Sequence, residues 1–176
     1  MKLSVPYYSQ YKEVVDSKWQ PRACAVTCLK MALDFEATNF NTTIPTIDEL
    51  IEEGVNIKAF SKEGWVHRGI VFLAHNHGVP AYQEEFRSMD GRLAKKLVTT
   101  GHSKLINRLK DGKTSIVSVE KGFNEGGGFH QIILVGYRDG NFLYHEPESK
   151  DNVGAFMRVS DEEFLNHWRH MAIFVG

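Results

Sequence analysis

The sequence has few cysteines, and this excludes two classes of protein. Only Cys24 and Cys28 are present among the 176 residues. They lie four residues apart in a helical pattern, where a disulfide between them would be strained, and two cysteines cannot form a disulfide framework. No CxxC pair or neighbouring HxxxH pair supplies the further ligands of a zinc site. We therefore expect neither a disulfide scaffold nor a metal, and no organic cofactor is indicated.

The sequence also lacks an excess of charge and a long apolar run. Its 21 basic and 22 acidic residues give a net charge of -1, so charge provides no argument for a nucleic acid or an anionic membrane as partner. No apolar stretch approaches the roughly 20 residues needed to span a bilayer. Met1 to Tyr8 lack the apolar core of a secretory signal. We expect a cytoplasmic protein if the chain is complete, and an extracytoplasmic one if a leader was removed.

The periodicity of apolar residues predicts a single α+β domain over residues 1–176. Helical patterns are predicted at 23–35, 47–53, 64–77, 103–110 and 160–168. Strand or extended patterns are predicted at 3–9, 79–86, 114–119, 130–137, 141–145, 156–159 and 171–175, and a polar loop at 10–22. Thr46 with Glu49 is typical of a capping box, and Asp139-Gly140 is typical of a hairpin turn.

Three residues indicate nucleophilic chemistry. Cys24 follows a proline-containing polar loop and opens the most apolar helical pattern, while His130 opens a buried strand pattern. Glu146 ends the next strand pattern, just before Pro147. A thiol, an imidazole and a carboxylate can serve as nucleophile, base and orienting group.

Cys24 is a better candidate nucleophile than Cys28. The first turn of a helix offers unpaired N–H groups and a partial positive charge, which favour a thiolate. Cys28 lies one turn further on among apolar residues, where burial raises the pKa of a thiol. Taken alone, either cysteine could be a small buried core residue.

His130 is distinguished from the other histidines by its position. It follows a glycine-rich loop and precedes a long apolar strand, which can hold the ring rigidly beside a cleft. In a hairpin closed by Asp139-Gly140, His130 and Glu146 can be neighbours if a bulge or stagger corrects the register. The remaining histidines are expected to be structural: His67, His75, His77, His102, His145, His167 and His170.

Several segments resemble the papain-like cysteine peptidases of the bacteriocin-processing (double-glycine leader) type, in a stand-alone branch without a transporter. The segments are Val5 to Gln10, Cys24 to Leu33, Gly64 to Val79, Gly128 to Asn141 and Tyr144 to Pro147. The resemblance implies a papain-like fold, with a nucleophile helix packed on an antiparallel sheet, and a peptide or protein substrate. It departs from the family at Ala25, where glycine or another small or polar residue is usual, and at Glu146, where aspartate is usual.

The resemblance also implies a glutamine that stabilises the oxyanion. Gln10 matches the end of the family's first strand, but the loop between it and Cys24 is longer than usual. Gln20 lies four residues before Cys24, a shorter separation than papain-like peptidases have between these two residues. We expect Gln10 to fill this role, with Gln20 as the alternative.

The predicted activity is hydrolysis of a peptide or amide bond through an acyl-enzyme. A deamidase or acyltransferase would use the same residues with a different second nucleophile. A catalytically degenerate peptide-binding module would keep the cleft without the reaction, and a thiol redox pair of Cys24 and Cys28 is a weaker alternative. Trp19 and Trp65 are expected to be core aromatics, with a place in the lining of the cleft as the alternative. The sequence does not indicate an oligomeric state.

Overall fold

The fold is built around a six-stranded antiparallel sheet with the strand order β3-β8-β4-β5-β6-β7. The computed structural model describes residues 1–151 and 153–176. The strands are β1 (Phe60–Ser61), β2 (Gly64–Trp65), β3 (Ala81–Glu85), β4 (Ser115–Glu120), β5 (Phe129–Arg138), β6 (Asn141–His145), β7 (Met157–Ser160) and β8 (Trp168–Val175). The helices are α1 (Gln10–Glu13), α2 (Cys24–Phe40), α3 (Ile47–Asn56), α4 (His67–Asn76), α5 (Gly91–Lys110) and α6 (Asp161–His167).

Helices cover both faces of the sheet. Alternation along β5 sends Ile133 and Val135 into one core, shared with α2, α3 and α4. Ile132 and Leu134 enter a second core, shared with α5 and α6. Each fully buried aliphatic side chain contributes about 1.5–3 kcal/mol. The predicted α+β class and the packing of the first long helix on an antiparallel sheet are confirmed.

The first long helix is largely buried, as predicted, but it is longer. It continues past Phe35 to Phe40, which packs against the first core. It ends where Asn41 takes a left-handed conformation with φ 47° and its backbone N–H donates to the carbonyl of Ala37. The polar residues of the last turn hid this extension, because they weaken the apolar pattern.

The prediction that α5 begins near Ser103 is wrong by about three turns. The helix begins after Asp90, whose carboxylate accepts hydrogen bonds from the N–H groups of Arg92 (2.9 Å) and Leu93 (3.0 Å). Gly101 concealed the helix, because glycine disfavours a helix interior. Here it allows α5 to approach Phe86 and Trp168, whose rings would lie 2.6 Å from a Cβ at this position.

Other predicted boundaries also shift. The helix predicted at 64–77 begins only at His67, because Gly64 pairs with Ser61 in the short β1–β2 hairpin. The extended pattern at 3–9 forms no strand of the main sheet. Lys2 bridges to Gly136, and the Leu3 N–H donates to the carbonyl of Val135 (2.8 Å). The predicted loop at 10–22 contains α1 and a 3₁₀ turn, Gln20–Arg22.

Two local motifs are confirmed. Thr46 Oγ1 accepts from the N–H of Glu49 (3.3 Å), and Glu49 Oε2 accepts from the N–H of Thr46 (2.8 Å). Asp139 and Gly140 both have positive φ, 52° and 71°, as a tight hairpin turn requires. This turn sets the course of β5 and β6, which carry two of the candidate residues.

A bulge of three residues interrupts β8. Trp168 pairs with Val119 and Ala172 with Val117, so three residues of β8 lie opposite one of β4. The central residue of the bulge, His170, has φ 56°, an uncommon conformation outside glycine. In the described ranges, none of the helices combines the length and apolar character needed to cross a membrane.

Candidate active site

Cys24 is the first residue of α2. The N-cap, Ala23, provides no side-chain hydrogen bond, so the N–H groups of the first turn have no side-chain acceptor from the cap. Cys24 is partly exposed, whereas Cys28 is fully buried and its Sγ lies 3.4 Å from the carbonyl oxygen of Gln131. Burial, together with the charges of Cys24 and Glu146, holds the pKa of Cys28 well above its ordinary value. The predicted burial of Cys28 and its effect are confirmed.

His130 and Glu146 lie in contact. His130 Nε2 is 2.6 Å from Glu146 Oε1, and the imidazole is almost fully buried. Burial by itself lowers the pKa of His130, but hydrogen bonds and charge interactions with Cys24 and Glu146 outweigh it and raise the pKa to about 10. These contacts therefore favour the protonated ring, which carries an N–H on each nitrogen.

The chain turns away from the sheet at Glu146, and this brings its side chain to His130. In the register of β5 and β6, Ile133 pairs with His145. Between this pair and the turn, a bulge at Val135 shifts the register by one residue. The backbone of Glu146 is held by two bonds: its N–H donates to the carbonyl of Gly154 (2.8 Å), and its carbonyl accepts from the hydroxyl of Tyr7 (3.2 Å). The bulge expected from the sequence is present. The rest of the register difference between the turn and the His130–Glu146 pair arises beyond His145, where β6 ends.

Glu148 is a second carboxylate at the site, and sequence reasoning missed it. Its Oε2 lies 3.9 Å from His130 Nδ1, and its backbone N–H donates to Glu146 Oε1 (2.8 Å). Its Oε1 accepts from Lys121 Nζ (2.7 Å) and the Tyr11 hydroxyl (3.1 Å). Continuing the β5–β6 register beyond Ile133 and His145 would have placed Glu148 opposite His130.

Gln10 and Gln20 contact each other. Gln10 is buried, and its Nε2 donates to the backbone carbonyl of Gln20 (2.7 Å). Its backbone N–H donates to the carbonyl of Pro147 (2.8 Å), which joins the Gln10 segment to the residue after Glu146. The Nε2 of Gln20 donates to two backbone carbonyls, those of Tyr11 (3.3 Å) and Val14 (2.9 Å). Gln20 therefore fixes the loop with its side chain, while Gln10 retains one amide N–H.

Cys24 and His130 line a cleft of about 830 Å³. Trp65 also lines it, while its ring packs against the first core as expected. Its Nε1 donates to the carbonyl of Arg22 (2.7 Å). Trp19 packs on Trp65 at 6.0 Å between ring centroids. The β1–β2 hairpin places Trp65 beside the start of α2, which the sequence did not indicate.

His67 also faces this cleft, at the first position of α4. Its Nε2 lies 2.8 Å from Ser118 Oγ, and burial lowers the pKa of the ring. It was expected to be structural, and its hydrogen bond to the floor of the cleft is consistent with that role. Among residues 1–151 and 153–176, no three His, Cys, Asp or Glu side chains are grouped so that they could hold a metal ion.

Sequence comparison identifies the family. The profile described as "Peptidase_C39 like family" matches residues 2–173. The chain belongs to the Peptidase_C39 like family. Membership supports a cysteine peptidase type of protein, as the sequence motifs indicated. Among curated protein sequences, none matches this chain.

Solved structures with the same fold include several C39 peptidases. A Bacillus anthracis protein assigned to the C39-like peptidases has a TM-score of 0.70 at 16% identity, over 100% of this chain and 98% of that one. The peptidase domain of Streptococcus ComA, a bi-functional ABC transporter, has a TM-score of 0.60 at 20% identity, over 89% and 92%. A double glycine motif protease from an AMS/PCAT transporter, solved with its leader peptide, has a TM-score of 0.59 at 16% identity, over 99% and 92%. These similarities confirm the papain-like C39 peptidase fold.

Proposed function

We propose that residues 1–176 form a single cysteine peptidase domain, which hydrolyses a peptide or amide bond with a Cys24–His130–Glu146 triad. The observation that carries the proposal is the 2.6 Å contact between His130 Nε2 and Glu146 Oε1, beside a cleft that His130 lines together with Cys24 at the start of α2. A nucleophile, a base and an orienting carboxylate are thereby joined in one constellation.

The reaction begins when His130, as general base, takes the proton of the Cys24 thiol, which gives a thiolate and an imidazolium. The Cys24 sulfur attacks the substrate carbonyl carbon, and the carbonyl electrons move to the oxygen. As this intermediate collapses, the C–N bond breaks and His130 transfers its proton to the leaving amine. A water molecule then attacks the thioester, giving up a proton to His130. The acid product leaves, and the thiolate–imidazolium pair is restored.

The negative oxygen of each intermediate needs hydrogen-bond donors. The backbone N–H of Cys24 and the side-chain amide of Gln10 supply them in this proposal. One such donor is typically worth about 3 kcal/mol in the transition state. The two backbone bonds made by the Gln20 side chain support Gln10 rather than Gln20 in this role.

A peptide is the proposed substrate class. The open cleft beside Cys24 supports this, as does the AMS/PCAT transporter protease solved with a leader peptide, whose fold this chain shares. Specificity for a double glycine is not carried over, because the ComA and AMS/PCAT neighbours belong to transporters.

The proposal is tested by alkylation followed by hydrolysis. Iodoacetamide is titrated from acid to alkaline pH on wild type, Cys28→Ala and His130→Ala, and the labelled cysteine is located by mass spectrometry. We expect selective labelling of Cys24 at acid pH, unchanged in Cys28→Ala and shifted to alkaline pH in His130→Ala. A peptide library is then incubated with wild type and Cys24→Ala. Products from wild type alone support the peptidase, whereas full hydrolysis by Cys24→Ala contradicts it.

The same experiment separates the rival activities. Acyl transfer would appear as products joined to an added amine, and deamidation as loss of ammonia without chain cleavage. A pure binding module would show an ordinary Cys24 thiol that is indifferent to His130.

A further inference from the structure

The cleft that contains Cys24 is lined by more basic than acidic side chains. Its lining includes the basic residues Arg22, Lys62, Arg68, Arg87 and Arg169, against the acidic residues Glu63 and Glu85. The whole chain carries a net charge of -1, so this concentration of cations is local. A cleft lined by one sign of charge attracts ligands of the other sign.

Two of these arginines lie together at the β8 bulge. Arg87 Nε donates to the backbone carbonyl of Arg169 (3.1 Å), and the Arg169 guanidinium stacks 3.4 Å from the centre of the Phe129 ring. In the described ranges, neither guanidinium has a carboxylate within ion-pair distance, 4.0 Å. Glu85 also lines the cleft, and it does not pair with them. Burial, and next the charge of Arg87, lower the pKa of Arg169.

The bulge itself directs Arg169 toward the cleft. Three residues of β8, from Arg169 to Met171, occupy the space opposite Ser118, and His170 in their midst has a left-handed φ of 56°. Bulges re-aim side chains next to functional sites, and strained backbone is retained where the surroundings require it. Arg169, Met171 and Ser118 all line the cleft.

The strand order gives the distance between the backbone of β8, which carries Arg169, and that of β5, which carries His130. Crossing the sheet from β5, which carries His130, β4 comes next and then β8. Neighbouring strands are about 4.8 Å apart, so β8 lies about 10 Å from β5. An extended peptide advances about 3.3 Å per residue, so this span equals about three residues. It is an upper limit for the guanidinium, because the Arg169 side chain reaches back to the Phe129 ring on β5.

We propose that Arg169 and Arg87 form a specificity subsite that binds a carboxylate of the substrate within about three residues of the scissile bond. This inference rests on the proposed peptidase function. The guanidinium forks match a carboxylate in a bidentate geometry, and Phe129 holds Arg169 in place from one side. The carboxylate comes either from an aspartate or glutamate side chain or from the C-terminus of the peptide.

The test measures binding on Cys24→Ala, so it does not depend on turnover. Four nonapeptide libraries of otherwise random uncharged residues are used, all acetylated at the N-terminus. In two libraries each peptide contains one Asp, and in the other two it contains one Asn. Within each pair, one library has a free C-terminus and the other an amidated C-terminus. Retention on the immobilised protein is compared in the Cys24→Ala background alone and with Arg169→Met, Arg169→Lys or Arg158→Met added. Arg158 is exposed on β7 at the opposite edge of the sheet and is the control for loss of one positive charge.

We expect a carboxylate to increase retention about tenfold, in line with a charge-assisted pair at a partly exposed site. Arg169→Met should abolish this preference, Arg169→Lys should restore only part of it, and Arg158→Met should leave it intact. Preference for Asp with an amidated end identifies a side chain, and preference for Asn with a free end identifies the C-terminus.

Equal retention of all four libraries would overturn the inference, as would a preference that survives Arg169→Met. Hydrolysis by the wild type is measured separately. Cleavage without a carboxylate preference would contradict the subsite alone. A carboxylate preference without cleavage would contradict the peptidase reaction and leave the binding site standing.

Discussion

Glu148 Oε2 lies 3.9 Å from His130 Nδ1, while Glu146 Oε1 lies 2.6 Å from the opposite nitrogen, Nε2. The imidazole thus has a carboxylate on each side, at unequal distances. The nearer one is bonded to the ring, and the farther one is held by Lys121 and Tyr11. Because both carry negative charge, both favour the imidazolium, and the shorter contact should dominate.

The first prediction concerns pH. In wild type the ring should lose its proton near pH 10, the pKa to which its partners raise it. Glu146→Gln removes a negative charge and a strong acceptor, so the pKa of His130 should fall, and the alkaline limb of the hydrolysis rate should move to lower pH. The ring is titrated by NMR, with its signal assigned by its absence in His130→Ala. Glu148→Gln is the comparison and should lower the pKa less. A larger effect of Glu148→Gln would contradict the assigned roles.

The second prediction separates the two glutamines. Gln10→Ala should lower kcat about 100-fold with little change in KM, because the lost donor acts on the oxyanion of the intermediate. Gln20→Ala should mainly lower the free energy of unfolding, by about 1 kcal/mol per lost hydrogen bond, because its side chain bonds two loop carbonyls. Steady-state kinetics and urea unfolding of both variants decide. The reverse pattern would assign the oxyanion role to Gln20.

The third prediction tests the packing of α5. Gly101→Ala should destabilise the protein by about 1–3 kcal/mol, because the added methyl would overlap the rings of Phe86 and Trp168. Gly91→Ala, at the start of the same helix, adds its methyl to open space and should be neutral or slightly stabilising. Denaturant midpoints measure both changes. Equal effects would show that α5 does not pack so closely at Gly101.

The fourth prediction applies one substitution at two exposed threonines. Thr46→Ala removes both hydrogen bonds that the Thr46 hydroxyl makes with Glu49 at the start of α3, and should cost about 1 kcal/mol. Thr99→Ala, within α5, should instead stabilise by a few tenths of a kcal/mol, because alanine has the higher helix propensity. Thermal unfolding of the two variants measures the sign of each change in stability. Destabilisation by Thr99→Ala alone would contradict the capping argument.

Local signals in the sequence predicted much of the fold. The α2 start, the Asp139-Gly140 turn and the Thr46 cap all depend on residues within a few positions of one another. Gly101 led to the wrong predicted start of α5, because its role depends on Phe86 and Trp168, which no local sequence pattern connects to it. The bulge around His170 also left no periodic signature.

The candidate site was foreseen to the extent that its residues open or close regular elements. Cys24 and His130 begin a helix and a strand pattern, and Glu146 follows a strand. Glu148 and Arg169 were missed, since their importance comes from register across β5 and β6 and from strand order. Those are long-range properties that a single sequence does not express.

The proposed triad draws on distant parts of the chain, with Cys24 near the start and His130 about a hundred residues later. At a ribosomal rate of about 5–20 residues per second, the thiol emerges roughly 5–20 seconds before its base. Through that interval the nascent chain has a nucleophile but no partner for it. The proposed activity would then arise only once the β5–β6 hairpin has formed, so a chain that ends before His130 would be inactive.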